Sequence, residues 1–103
     1  MNIIWTTSAL QQQNTIADYI YEEFGTNSLI DFYTYLDKTE DNLVAFPELG
    51  KVEPLLQNGT KLYRSFVVTK LCKIIYYIDG ENIYIVDLWD TRREPDLQAK
   101  RIK

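Results

Sequence analysis

The spacing of apolar residues changes near residue 60, and the change divides the chain into a helical half and a strand half. The run NIIW (Asn2–Trp5) predicts a first strand ahead of the polar cluster Thr6, Thr7 and Ser8. Ser8 and Gln11 stand at the spacing of a capping box, where hydroxyl and amide each satisfy a free backbone N–H at a helix start. Leu10, Ala17, Ile20, Tyr21 and Phe24 then recur at helical spacing, with Gln11, Gln12, Asp18, Glu22 and Glu23 on other faces. Gly25 offers the left-handed exit that commonly ends a helix. Thr26, Asn27 and Ser28 restart the pattern, and Leu29, Tyr33, Leu36 and Leu43 form one stripe until Pro47 forbids continuation. Two helices so closely joined predict an antiparallel hairpin.

Beyond Asn58-Gly59 the period becomes two. KLYRSFVVT places Leu62, Arg64, Phe66 and Val68 on one side and Tyr63, Ser65 and Val67 on the other. LCKIIYYI and NIYIVDLW are β-branched and aromatic, with the turn pair Asp79-Gly80 between them, so three consecutive strands are expected. Apolar residues occur on both faces of these strands. The sheet should therefore be covered by the helices on one face and at least in part on the other, where a partner could supply the cover. The order β-α-α-β-β-β is an α+β arrangement in one domain spanning residues 1–103, with the basic end DLQAKRIK as either a short helix or a loose tail.

Charge sharpens this picture. Residues 1–50 hold Lys38 against eight acids, and residues 51–103 hold ten Lys and Arg against seven acids. Nearly all the positive charge thus lies in the strand half, although a net charge of −4 makes a weak electrostatic footprint for nucleic acid. The sole cysteine, Cys72, lies in an apolar run and reads as a small buried hydrophobe. With no disulfide possible and no leader-like N-terminus, a cytoplasmic protein is expected. There is no histidine, which excludes imidazole catalysis and His-based metal sites, and the acids between Asp18 and Asp41 lack calcium-loop spacing and read as a solvated helix face. No cofactor is implied.

The candidate chemistry is carried by cations. Arg64, Lys73 and Arg93 stand on or beside strands, Arg92 adjoins Arg93, and Lys51 and Lys61 lie on the approach to the first strand of the second half. Arginine grips phosphate in a bidentate way, so such residues can make an anion-binding face, whereas isolated strand cations more often serve as edge protection. Arg64 shares parity with Leu62, Phe66 and Val68, and an arginine on an apolar face needs a ligand or a carboxylate such as Glu53, Asp87 or Asp90. Trp89 reads either as core at the end of the last strand or as an exposed interface anchor.

A strand ending in Trp5, two helices closing at FPELG, then LYRSF, KIIYYI and IYIVDLWDTRREP together resemble the RelE/ParE family, toxins of bacterial type II toxin–antitoxin systems, from about Ile3 to Pro95. The resemblance implies a two-helix hairpin packed on a twisted antiparallel sheet of about four strands, and a cognate antitoxin that binds the toxin as a hetero-oligomer. It implies one of two targets. RelE-like members cut mRNA in the ribosome without a metal, and in that case Arg64, Lys73 and Arg93 match basic catalytic positions; ParE-like members inhibit DNA gyrase. Phe66 replaces the second lysine of the RelE strand, and Ala99 falls near the place of its C-terminal tyrosine. Only Glu53, Glu94 or Asp90 could serve as acid or base. The reading therefore leans to a gyrase inhibitor, with mRNA cleavage, or an inactive member that still binds antitoxin, as alternatives. Lys51, Lys61, Trp89 and Arg92 are expected partner or phosphate contacts.

Overall fold

The computed structural model describes residues 1–57 and 59–102. Strand β1 (Asn2–Trp5) leads into helices α1 (Thr7–Phe24) and α2 (Thr26–Ala45). A two-residue strand β2 (Lys51–Val52) and a 3-10 turn at Pro54–Leu56 follow, then β3 (Arg64–Thr69), β4 (Cys72–Asp79) and β5 (Asn82–Asp90), and finally a short helix α3 (Pro95–Ala99).

The α+β architecture and the packed helix pair agree with the sequence reading, but the sheet has five strands in the order β1-β5-β4-β3-β2 and is mixed. β1 runs parallel to β5, with Ile3 beside Ile83 and Trp5 beside Ile85, while the other neighbours are antiparallel. The hairpin at Asp79-Gly80 forms as expected, Gly80 taking a φ of 59° in the turn to Asn82. The turn signal at Asn58 lies outside the described residues, and β3 begins only at Arg64.

The start of α1 is capped two residues earlier than the Ser8–Gln11 spacing suggests. Thr6 is the cap: its Oγ1 accepts the Ala9 N–H at 3.2 Å, and its own N–H bonds the Ile85 carbonyl at 3.0 Å. The pairing of β1 with β5 thus brings the chain into the helix at Thr6. The inward face of α1 is formed by Ala9, Ile16, Ala17 and Ile20, and that of α2 by Phe32, Leu36, Thr39 and Leu43. Leu10, Tyr21, Phe24 and Tyr33, expected in the core, are exposed. Two of the four inward positions on α1 are alanines, and their small side chains let the helix lie close over the sheet. Gly25 alone joins the helices, at φ 88° and ψ −172°, a region essentially restricted to glycine.

Two apolar clusters flank the sheet. On the helix face Ile74, Tyr76, Ile83, Ile85, Leu88 and Cys72 meet both helices. On the other face Ile75 and Trp89 meet Leu56, Tyr63 and Ala99, with Ile102 packed alongside. The second cover is therefore supplied in part by this chain's own 3-10 turn and C-terminal segment. A register shift between Ile75 and Tyr76 lets β5 accommodate Val86, so Asp87 lies opposite Ile75 and Trp89 opposite Lys73.

Candidate functional site

Strand parity sorts the candidate cations. Arg64 pairs with Tyr76 in the β3–β4 ladder, and Tyr76 belongs to the helix-face cluster. Lys73 pairs with Val67 on one side and Trp89 on the other, and Trp89 belongs to the opposite cluster. Side chains alternate across a sheet, so Arg64 and Lys73 point to opposite faces. None of the carboxylates expected for Arg64 reaches it: its guanidinium donates to the Gly50 carbonyl at 2.8 Å and the Glu48 carbonyl at 3.3 Å. With Tyr76, whose hydroxyl donates to the Pro47 carbonyl at 2.8 Å and accepts the Gly50 N–H at 2.8 Å, it pins the FPELG segment beneath the end of α2. Burial pushes the Tyr76 phenol above its ordinary range, in keeping with a neutral structural hydroxyl.

Lys51, Lys73, Trp89 and Arg93 converge. They line a cleft of about 220 Å³ on the non-helical face, with Asp90 and Gln98 also in its wall. β2 supplies Lys51, β4 supplies Lys73, and the turn after β5 supplies Arg93. Lys73 is the most constrained: its Nζ lies 3.0 Å from the Glu53 carboxylate, which is buried, and 5.2 Å from the centroid of the Trp89 ring. Arg93 is mostly exposed, with its Nε 3.8 Å from Asp90. The Lys51 side chain makes no ion pair among the described residues, and it and Arg93 are the cations best placed to meet an incoming anion.

Trp89 is 1% exposed, which corrects its assignment as a contact residue: its edge borders the cleft, but the ring is core. Its Nε1–H donates to Asp87 Oδ2 at 2.9 Å. Lys61 lies outside the cleft, 4.6 Å over the Tyr77 ring. Arg92 is also turned away. It forks onto Asp90 at 2.8 and 3.0 Å and reaches back to the Tyr19 hydroxyl at 2.6 Å, clipping the end of β5 to α1. The Arg92 hydrogen bonds hold the Asp90 carboxyl below its usual range despite partial burial. A lowered folded value means that this contribution is present above the unfolded value and is lost as pH falls through the folded one. Arg92→Ala should therefore move the Asp90 titration upward, read by NMR of the side-chain carboxyl; an unmoved titration would contradict the fork.

Sequence reasoning missed Gln98 and Arg101. Gln98 imitates a strand neighbour, its Oε1 accepting the Asp90 N–H at 2.8 Å and its Nε2 donating to the Asp90 carbonyl at 2.9 Å. Arg101 binds Asp87 through Nε at 3.1 Å and Nη2 at 3.0 Å. Asp87 is fully buried and burial pushes its carboxyl up, with Arg101 pulling against that shift. The available signal was an acid on the inward parity of an apolar strand, which demands a cation from elsewhere in the chain. Cys72 is buried and its thiol is pushed up by desolvation, which leaves it inert as a nucleophile.

Chemically, the cleft is a cationic recess with a rigid aromatic wall. Glu53 is engaged by Lys73 and Asp90 by Arg92, so neither carboxylate is poised to remove a proton. Ala99, near the expected place of a tyrosine, is buried against the second-face cluster. Among the described residues no group of His, Cys, Asp and Glu could hold a metal ion, and no helix is long and apolar enough to cross a membrane.

Solved structures share this fold. The chain superposes on the chromosomal ParDE toxin–antitoxin system from P. aeruginosa with a TM-score of 0.70 and 16% identity, over 87% of this chain and 95% of that one. It superposes on a YoeB/ParE toxin from Agrobacterium tumefaciens with a TM-score of 0.58 and 17% identity, over 87% and 98% of the two chains. No curated protein sequence matches it. The family model described as ParE toxin of the type II toxin–antitoxin system, parDE, matches residues 3–95. With nearly its whole length matched, the chain belongs to the ParE family of type II toxin–antitoxin toxins.

Proposed function

We propose that this toxin acts by binding rather than by cutting, as an inhibitor of DNA gyrase neutralised by the antitoxin that its family implies. The observation that carries the reading is the dispersal of the cations that RNA cleavage would need on one face. Arg64 faces the helices and holds backbone carbonyls, while Lys73 is tied to a buried carboxylate. Cleavage through a 2′-oxygen needs a base for the nucleophile, charge stabilisation at the phosphorus and an acid for the leaving oxygen. The cleft supplies only the second.

Purified toxin should inhibit supercoiling by reconstituted gyrase and leave ribosome-bound message intact. Its expression should raise the DNA-damage response before translation falls. Cleavage of message at ribosomal codons, lost in Lys73→Ala and Arg93→Ala, with gyrase unaffected, would replace this reading with the ribonuclease one.

A further inference from the structure

The end of the fold remote from the cationic cleft carries a different surface. Ile78 lies near the turn end of β4 and on the helix face, whereas Lys73 lies near its start and faces the cleft, about 17 Å away at the rise of a strand. At the Ile78 end, Met1, Phe46, Leu49 and Ile78 line an open recess of about 610 Å³. Met1 and Val44 continue it into a second recess of about 380 Å³, whose other walls include Asp37, Glu40 and Asp41. Phe46 is 67% exposed, and Met1, Val44 and Leu49 are exposed with it.

The exposed phenylalanine is held out by a rigid frame. Its N–H closes α2 on the Asn42 carbonyl at 2.8 Å, and its carbonyl accepts the Leu49 N–H at 3.0 Å. The same turn is fastened by Tyr76 on Pro47 and Gly50 and by Arg64 on Glu48 and Gly50. An aromatic side chain fixed in water contributes little to the fold, whereas aromatic residues are enriched at the core of protein interfaces. The charges around it are of one sign. Asp37, Glu40, Asp41 and Glu48 border the two recesses, no lysine or arginine lines either, and none of the four acids makes an ion pair among the described residues. Desolvation pushes the Glu40 carboxyl up against the pull of the Trp5 N–H, and Asp37 and Asp41 push it the same way. These acids crowd the C-terminal half of α2, whose last turn holds no base, although the helix dipole favours positive charge at that end. The arrangement does not serve the helix, and it suits a cation from outside.

We propose that this end of the molecule is a docking site for a basic amphipathic helix of a partner protein, with large apolar side chains seated against Phe46 and Leu49 and lysine or arginine residues meeting Asp37, Glu40 and Asp41. Glu40 and Asp41 stand three and four residues beyond Asp37, and a helix lying beside α2 repeats its own cations at that same spacing. The apolar contact supplies affinity, and the acids attract basic partners and exclude acidic ones. Nucleic acid and anionic lipid are repelled by the same charges. A second copy joined symmetrically through this end would set these acids against their own counterparts, which makes it a poor occupant. The site is independent of whether the toxin's target is gyrase or the ribosome.

The test uses the intact chain and capped helical peptides. An amphipathic peptide with a leucine stripe flanked by lysines should bind at least about tenfold tighter than its counterpart with glutamate in place of lysine. It should shift the amide NMR signals of Val44, Phe46, Leu49 and Ile78 and leave those of Lys73 and Arg93 unmoved. Phe46→Ala, at an exposed side chain, should keep the unfolding midpoint of the native chain and weaken binding at least about tenfold. Asp37→Lys with Asp41→Lys, both at exposed positions, should reverse the preference between the two peptides. A lysine peptide that fails to bind overturns the proposal. Equal binding of a scrambled peptide of the same composition, which marks charge attraction alone, also overturns it, as does full affinity in Phe46→Ala. Concentration-dependent self-association through the same amides, without peptide, would assign the surface to a second copy instead.

Discussion

Arg101→Ala is expected to destabilise the fold by about 3 kcal/mol at neutral pH, the lower end of the cost of breaking a buried pair by removing one partner. Asp87 has no exposure, and Arg101 is the cation that faces it at 3.0 Å; the Leu88 and Trp89 N–H groups complete its shell. Domains of this kind have about 5–15 kcal/mol in total, so a single surface-reaching side chain would control a large fraction of the stability. The loss has a pH signature. The folded Asp87 value is already raised by burial, so its contribution is favourable below the unfolded value and is lost as pH rises through the folded one. Removing Arg101 pushes the folded value higher still. Urea unfolding of the native chain and the variant should therefore show a gap that narrows as pH falls from neutral toward the acid range. The double variant Asp87→Asn with Arg101→Ala should be more stable than Arg101→Ala alone, because no charge is left orphaned. A gap constant with pH, or a double variant no better than the single, would refute the account.

Gly50→Ala should cost about 3 kcal/mol, the upper end of overpacking penalties. The added methyl would meet the Ser65 carbonyl oxygen and the Tyr76 ring and hydroxyl, each at 2.7 Å. The carbonyl belongs to β3 and cannot yield cheaply, and moving Tyr76 would break its bonds to Pro47 and Gly50. Tyr76→Phe, which keeps the ring but leaves the Gly50 N–H and the Pro47 carbonyl without that partner, should cost about 1–3 kcal/mol. Thermal unfolding measures both. A Gly50→Ala variant as stable as the native chain would mean that β2 is not held where the Arg64 and Tyr76 contacts place it. Neither position lines the cationic cleft, so these variants also separate stability from target binding.

Both variants test contacts that join distant parts of the chain, and such contacts were the least visible in the sequence. Arg64 illustrates why. Its parity with Phe66 and Val68 was legible and correct, whereas the expectation of a carboxylate or a ligand as its partner was not met. The partners were backbone carbonyls of the turn after α2, which no residue-type pattern announces. Trp89 could be read as core from its place at the end of a strand, but its bond to Asp87 depended on the register shift that keeps both on one face. Ala17, Ile20, Leu36 and Leu43 were read correctly as inward, but Leu10, Tyr21, Phe24 and Tyr33 were not, because the face a helix turns inward is set by how it docks on the sheet and on its neighbour.

The sequence by itself determined the types and order of the main elements, the glycine turn between the helices, the Asp-Gly hairpin and the concentration of cations in the strand half. Those signals are local, since periodicity, capping residues and turn residues act within a few positions. Tertiary structure alone decided that β1 lies parallel to β5, that Arg64 leaves the cleft while Lys51, Lys73 and Arg93 enter it, and that Asp87 is served by Arg101. Each of those outcomes depends on which strand lies beside which. A charge then takes whatever partner that arrangement brings within about 3 Å, however far away it stands in the chain.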